Sequence, residues 1–84
     1  MKTVRFSLHA QNQLLRRGAA KEEVVEAIRS SSWEPADRGR LACRKNFPYH
    51  EEWNGKVYET KQVHPIFVDE ADEIVVVTVY SYFF

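Results

Sequence analysis

Along residues 7–18 the apolar positions Leu8, Leu14 and Leu15 are set among polar neighbours at helical rather than alternating spacing. Ser7 can cap such a helix, because its hydroxyl accepts from a free backbone N–H of the first turn. Arg16 and Arg17 fall in the last turn, where cations suit the helix dipole, and Gly18 supplies a left-handed stop. The pattern predicts a helix from Leu8 with Leu8, Leu15 and, at the edge, Leu14 as its buried stripe. A second helix follows at once in KEEVVEAIRS: Glu22 and Glu23 occupy its first turn, and Val24, Ala27 and Ile28 recur at core spacing. With so short a connection, the two form a helical hairpin.

Past Ser30-Ser31-Ser32 the period changes to two. Trp33–Asp37 reads as a short strand that Pro35 confines to an edge. Leu41–Phe47 alternates, and Asn54-Gly55 is a tight-turn signal joining it to a strand over Lys56–Val68. A turn at Asp69–Asp72 leads into Ile74–Phe84, whose β-branched and aromatic residues suit a central strand. Alternation there sets Val75, Val77 and Val79 on one face, against the helices, and Thr78, Tyr80 and Tyr82 on the other. The expected fold is α+β: an N-terminal helical hairpin packed on one face of a three- to four-stranded antiparallel sheet, in one domain over residues 1–84.

Composition narrows the class. With 84 residues, 44% of them apolar, the chain can build one small core and does not read as disordered. The lone Cys43 excludes an internal disulfide and suits a reducing compartment. MKTVRFS lacks a signal-peptide core, and the apolar tail falls short of the about 20 residues that span a bilayer, so a cytoplasmic protein without a membrane partner is expected. Net charge is zero, yet residues 1–45 hold ten basic against five acidic side chains and residues 46–84 two against seven. Either the halves neutralise one another across the fold, or the neutral total conceals a basic and an acidic face.

Candidate chemistry sits on the first helix. Positions seven apart nearly coincide in direction, so His9 and Arg16 share a ridge with Gln13 between them and Arg17 beside it. An imidazole moves protons near neutral pH, and guanidinium groups clamp phosphate. A solvated helix face accounts for the same residues. Arg44 and Lys45 are neighbours, one for each side of the sheet, and the hydroxyls of Thr78 and Tyr80 can bind phosphate or stack on bases. His50, His64 and Cys43 have no zinc spacing, and the three glycines form no phosphate loop, so neither a metal nor a cofactor is expected.

His9-Ala10, Arg16-Arg17-Gly18, the Glu-Glu-Val helix and the ending Val77-Thr78-Val79-Tyr80 together resemble the small bacterial family known as domain of unknown function 4258. That family is similar to the barnase–EndoU–colicin–RelE group of metal-independent ribonucleases, which includes toxins of toxin–antitoxin pairs. The resemblance implies a site of His9, Arg16 or Arg17, Arg44 or Lys45, and Thr78, to which strand alternation adds Tyr80. It implies RNA cleavage by attack of a 2′-hydroxyl on its own phosphodiester, and a small acidic antitoxin-like partner. Ala19-Ala20 departs from the Ser or Asp that often caps the family's second helix, at a cost of about 1 kcal/mol. Competing expectations are a non-catalytic module of the same fold that binds protein or nucleic acid, and a homodimer through the aromatic tail YSYFF.

Overall fold

The structure, a computed structural model, describes residues 2–84. Its elements are β1 (Thr3–Phe6), α1 (Leu8–Arg17), α2 (Lys21–Ser30), β2 (Glu34–Pro35), a 3-10 turn at Asp37–Gly39, β3 (Leu41–Ala42), β4 (Lys45–Trp53), β5 (Lys56–Asp69) and β6 (Glu73–Phe83). The local signals act as expected at the helices. The Ser7 hydroxyl accepts the Ala10 N–H at 3.0 Å, and Gly18 closes α1 at φ +66°. Ala20 has no side chain with which to cap α2, and Glu23 replaces half of that function: its carboxylate accepts the Ala20 N–H at 2.9 Å. The same carboxylate lies 2.9 Å from the Lys61 ammonium, which also donates to the Gly18 carbonyl at 2.9 Å. Lys61 is buried, so one desolvated and fully partnered cation ties the helix junction to β5.

The architecture is α+β, but the sheet is larger than expected and mixed. Six strands take the order β1-β6-β5-β3-β2, with β4 also paired to β5. All neighbours are antiparallel except β1, which runs parallel to β6 from Thr3↔Glu73 to Phe6↔Val76. No local pattern announces that strand, because four residues just before a helix cap carry almost no periodicity and their partner lies at the other end of the chain. β5 organises the rest: β6 covers one edge, while β4 and β3 lie end to end along the other.

The expected strand Leu41–Phe47 is therefore broken, between Ala42 and Lys45. Pro65 explains the break. Its carbonyl accepts from the Cys43 N–H at 3.4 Å, so the amide proton that proline lacks is missing on this same edge. The ladder cannot continue through that point, and Cys43 and Arg44 fill the gap.

The helices cover one sheet face. Their Ala10, Leu14, Val24, Ala27 and Ile28 meet Val63, Phe67, Ile74, Val76 and Val79. Trp33 closes the end of this core edge-on against Phe67, at 5.0 Å between ring centres. Two expectations of phase are corrected. Leu8 and Leu15 are 75% and 86% exposed, and the buried stripe of α1 is Ala10 with Leu14. A residue as small as alanine at 0% exposure lets the helix approach β6 closely, which turns the flanking leucines outward. In β6, Val75 and Val77 are not core residues, whereas Ile74, Val76 and Val79 are. The register passes from Ile66↔Thr78 to Phe67↔Val76, leaving Val77 as the extra residue of a β-bulge that shifts the alternation by one.

The aromatic tail divides. Phe83 packs among Tyr49, Trp53 and Tyr58, with Trp53 stacked on it at 5.0 Å, while Tyr82 and Phe84 are exposed. No helix among the described residues is long and apolar enough to cross a membrane.

Candidate functional site

The β6 bulge is also what fixes the site. Its carbonyls hold the start of α1: the Ser7 N–H donates to the Val76 oxygen at 3.0 Å, and the Ser7 hydroxyl to the Val77 oxygen at 3.2 Å. Two residues further on, His9 Nε2 lies 3.2 Å from the Thr78 hydroxyl and 3.4 Å from the Gln13 amide nitrogen. With the ring proton on Nδ1, Nε2 accepts from both neighbours, and this unprotonated nitrogen is the one that can take a proton. Further along the same row of α1, the Arg17 guanidinium stands over the Tyr80 ring, 5.3 Å from its centre. His9, Gln13 and Arg17 follow one another at four-residue intervals, so a single slanted row of α1 meets Thr78 and Tyr80 of β6.

The sheet face away from the helices, here called the open face, continues the site. His64 is in register with Tyr80, and its imidazole lies 6.0 Å from the Tyr80 ring and 6.2 Å from the Tyr82 ring. Burial pushes its pKa below the ordinary imidazole value, the nearby Arg44 charge lowers it further, and Glu34 opposes both. Beyond Thr78 and Tyr80 a hollow of about 310 Å³ is closed by the loop carrying Asp37, Arg38 and Arg40, with Ile66 on its floor. Neither Arg38 nor Arg40 has an ion-pair partner among the described residues, whereas Arg44 lies 3.6 Å from Glu34. Gln13 Oε1, Arg17 Nε and His64 Nδ1 are buried atoms without a hydrogen-bond partner, and all three belong to this assembly.

The sequence-derived candidates separate accordingly. His9, Gln13, Arg17, Thr78 and Tyr80 converge, and Arg44 joins them from the strand break. Arg16 is exposed and shares a depression of about 400 Å³ on the solvent side of α1 with His9, Asn12, Gln13 and Leu15. The seven-residue spacing does align it with His9, but the sheet lies on the Arg17 side of that ridge. Lys45 pairs in register with Val63 and reaches Glu26 of α2 at 3.7 Å, which puts it on the helix side of the sheet. Cys43 is buried, and desolvation pushes its thiol up to about 11, so it is no thiolate at neutral pH.

Sequence reasoning missed Arg38, Arg40 and the contribution of His64. The alternation Val63, Pro65, Phe67 against Gln62, His64, Ile66 held the signal for His64. Nothing local marks the two arginines, which reach the site only because β2 and β3 fold onto the sheet. A larger groove, about 760 Å³, lies elsewhere, between β1 and α2, and is lined by Val4, Phe6, Lys21, Val25 and Arg29 among others. It holds no histidine, and its Arg5 is engaged by Glu73 at 3.1 Å. Compared with known proteins, the chain matches no family model, no curated protein and no solved structure.

Proposed function

We propose that the protein is a metal-independent endoribonuclease of the toxin-like kind, acting on RNA at the face where α1 meets β6. The observation that carries this reading is the 3.2 Å contact between His9 Nε2 and the Thr78 hydroxyl, which joins the helix half of the site to the strand half. In the proposed reaction a ribose 2′-oxygen attacks the adjacent phosphorus. Its proton passes to a base, the bond to the 5′-oxygen breaks, and that oxygen takes a proton from an acid. The products are a 2′,3′-cyclic phosphate and a free 5′-hydroxyl.

The neutral imidazole of His64 is suited to taking the 2′-proton, and His9, in its protonated form, to giving one to the leaving 5′-oxygen. Arg17 and Arg44 flank the two histidines and would stabilise the added negative charge of the phosphorane. Thr78 orients His9, and Tyr80 orients the substrate. The charge pattern supports an anionic substrate, because Arg38 and Arg40 line the hollow against the single carboxylate of Asp37, Arg17 stands over the Tyr80 ring at its border, and none of the three arginines is in an ion pair among the described residues.

The test is cleavage of a mixed RNA in the presence of chelator, followed by gel electrophoresis and end-group analysis. Wild-type protein is expected to produce cyclic phosphate ends, and His9→Ala to lower the rate by about 10²- to 10⁴-fold, the range for loss of a general acid or base. Cleavage unchanged in His9→Ala, or absent from both proteins, would sink the reading.

A further inference from the structure

Tyr80, His64 and Tyr82 form a row of rings on the open face, with centres 6.0 and 6.2 Å apart across the imidazole. The two tyrosines are 36% and 46% exposed, on the stretch of β6 that runs past the end of β1 and is paired with β5 alone. They are not the outside of a core: their strand neighbours Val79 and Ser81 face the helices, and the bulge at Val77 holds that division. One end of the row is charged by Arg17 over Tyr80, and Arg38 and Arg40 stand beside the hollow that Tyr80 borders.

We infer that this face takes unpaired RNA, with bases laid on the Tyr80–His64–Tyr82 row and the sugar–phosphate chain carried by Arg17, Arg38 and Arg40. The inference rests on the ribonuclease reading and adds the strand state of the substrate and the group that recognises it. Bases in a duplex have their π-faces covered by one another and offer only edges in the grooves, so a ring platform gains nothing from them. An unpaired base has a free face, and stacking on an aromatic side chain tolerates any base. Arginines beside such a platform follow the backbone, which is the combination of ring and cation that single strands require. Tyr82 is the discriminating residue. It touches neither His9 nor Thr78, and its ring contact is with His64, so it belongs to recognition rather than to proton transfer.

The experiment is fluorescence anisotropy in the His9→Ala background, which leaves the probe intact. The probe is a labelled RNA of about ten nucleotides, a length within the usual range for one small single-strand-binding domain. It is offered alone and annealed to its complement. The single strand is expected to bind at least about ten-fold more tightly than the duplex. Tyr82→Ala should weaken single-strand binding by about ten-fold, the effect of losing one stacked base. Tyr82→Phe keeps the ring and should stay within about two-fold of its parent. Duplex bound as well as the single strand, or Tyr82→Ala bound as tightly as its parent, overturns the inference. Single-strand binding that depends on Tyr82, from a wild-type protein that does not cleave, upholds the inference and removes the catalytic reading. Cleavage that needs His9 but ignores Tyr82 does the reverse.

Discussion

His64 shows how much one residue's surroundings change what it can do. Its imidazole is desolvated by the sheet and by the Tyr80 and Tyr82 rings, and the Arg44 charge is added to that cost, so the neutral form is favoured. The folded pKa lies below the ordinary value of 6.5. The stability it confers is therefore present above that value and is lost as pH falls through the lower, folded one. Titration followed by histidine ring NMR signals should give His64 a midpoint below 6.5. Arg44→Gln should move it upward for two reasons that act together: the repelling charge is gone, and Glu34 is no longer engaged by Arg44 at 3.6 Å. A midpoint indifferent to Arg44→Gln would mean that desolvation alone sets it. At this scale the sequence was half legible. His9 and Thr78 could be named, because a cap and an alternating strand gave their directions. The choice between Arg16 and Arg17, and between Arg44 and Lys45, depended on where the sheet lies, and that is a tertiary fact.

Elements bounded by their own chemistry were read correctly: α1 between Ser7 and Gly18, α2 from Lys21, and the β4–β5 hairpin at Asn54-Gly55, whose φ values of +52° and +86° are those of a tight hairpin turn. What was lost depends on pairing at a distance. β1 exists because β6 is there to receive it, and the run Ile74–Val79 is so uniformly β-branched that no alternation reveals the bulge at Val77. Gly18 belongs to both categories. Its role as a helix stop is local, but a Cβ there would also lie 2.6 Å from Trp53, which is itself stacked on Phe83. Gly18→Ala thus combines a left-handed backbone with a collision against a packed indole, and should destabilise the fold by about 2–3 kcal/mol. In a domain of this size that lowers the melting temperature by on the order of 10 °C. A melting temperature within about a degree of the parent's would show that Trp53 moves aside freely and that the β4–β5 hairpin is not pinned to the helix junction.

Across the whole molecule the two charge expectations turn out to apply to different regions. At the β1 end the halves of the chain neutralise one another, Lys2 with Asp69 at 2.6 Å and Arg5 with Glu73 at 3.1 Å. On the face of α1 and the β2–β3 loop they do not, and Arg17, Arg38 and Arg40 keep their charge without a carboxylate partner among the described residues. A protein of zero net charge can then bind a polyanion locally, and its affinity should fall with salt according to those few contacts alone. Three phosphate contacts to a single strand give a slope of log affinity against log salt of about −2. Arg38 separates this prediction from a general loss of fold. It sits at φ +63°, a left-handed conformation unfavourable for any side-chain-bearing residue, so Arg38→Gly relieves strain while removing a charge. The variant should be at least as stable as its parent in denaturant, yet its salt slope should be shallower by about 0.7, one contact's worth. Arg44→Gln removes a charge already opposed by Glu34 and should change the slope much less. Equal slopes for the parent and Arg38→Gly would place the loop off the path of the phosphates, and a shallower slope for Arg44→Gln than for Arg38→Gly would move the backbone track to the β3–β4 break.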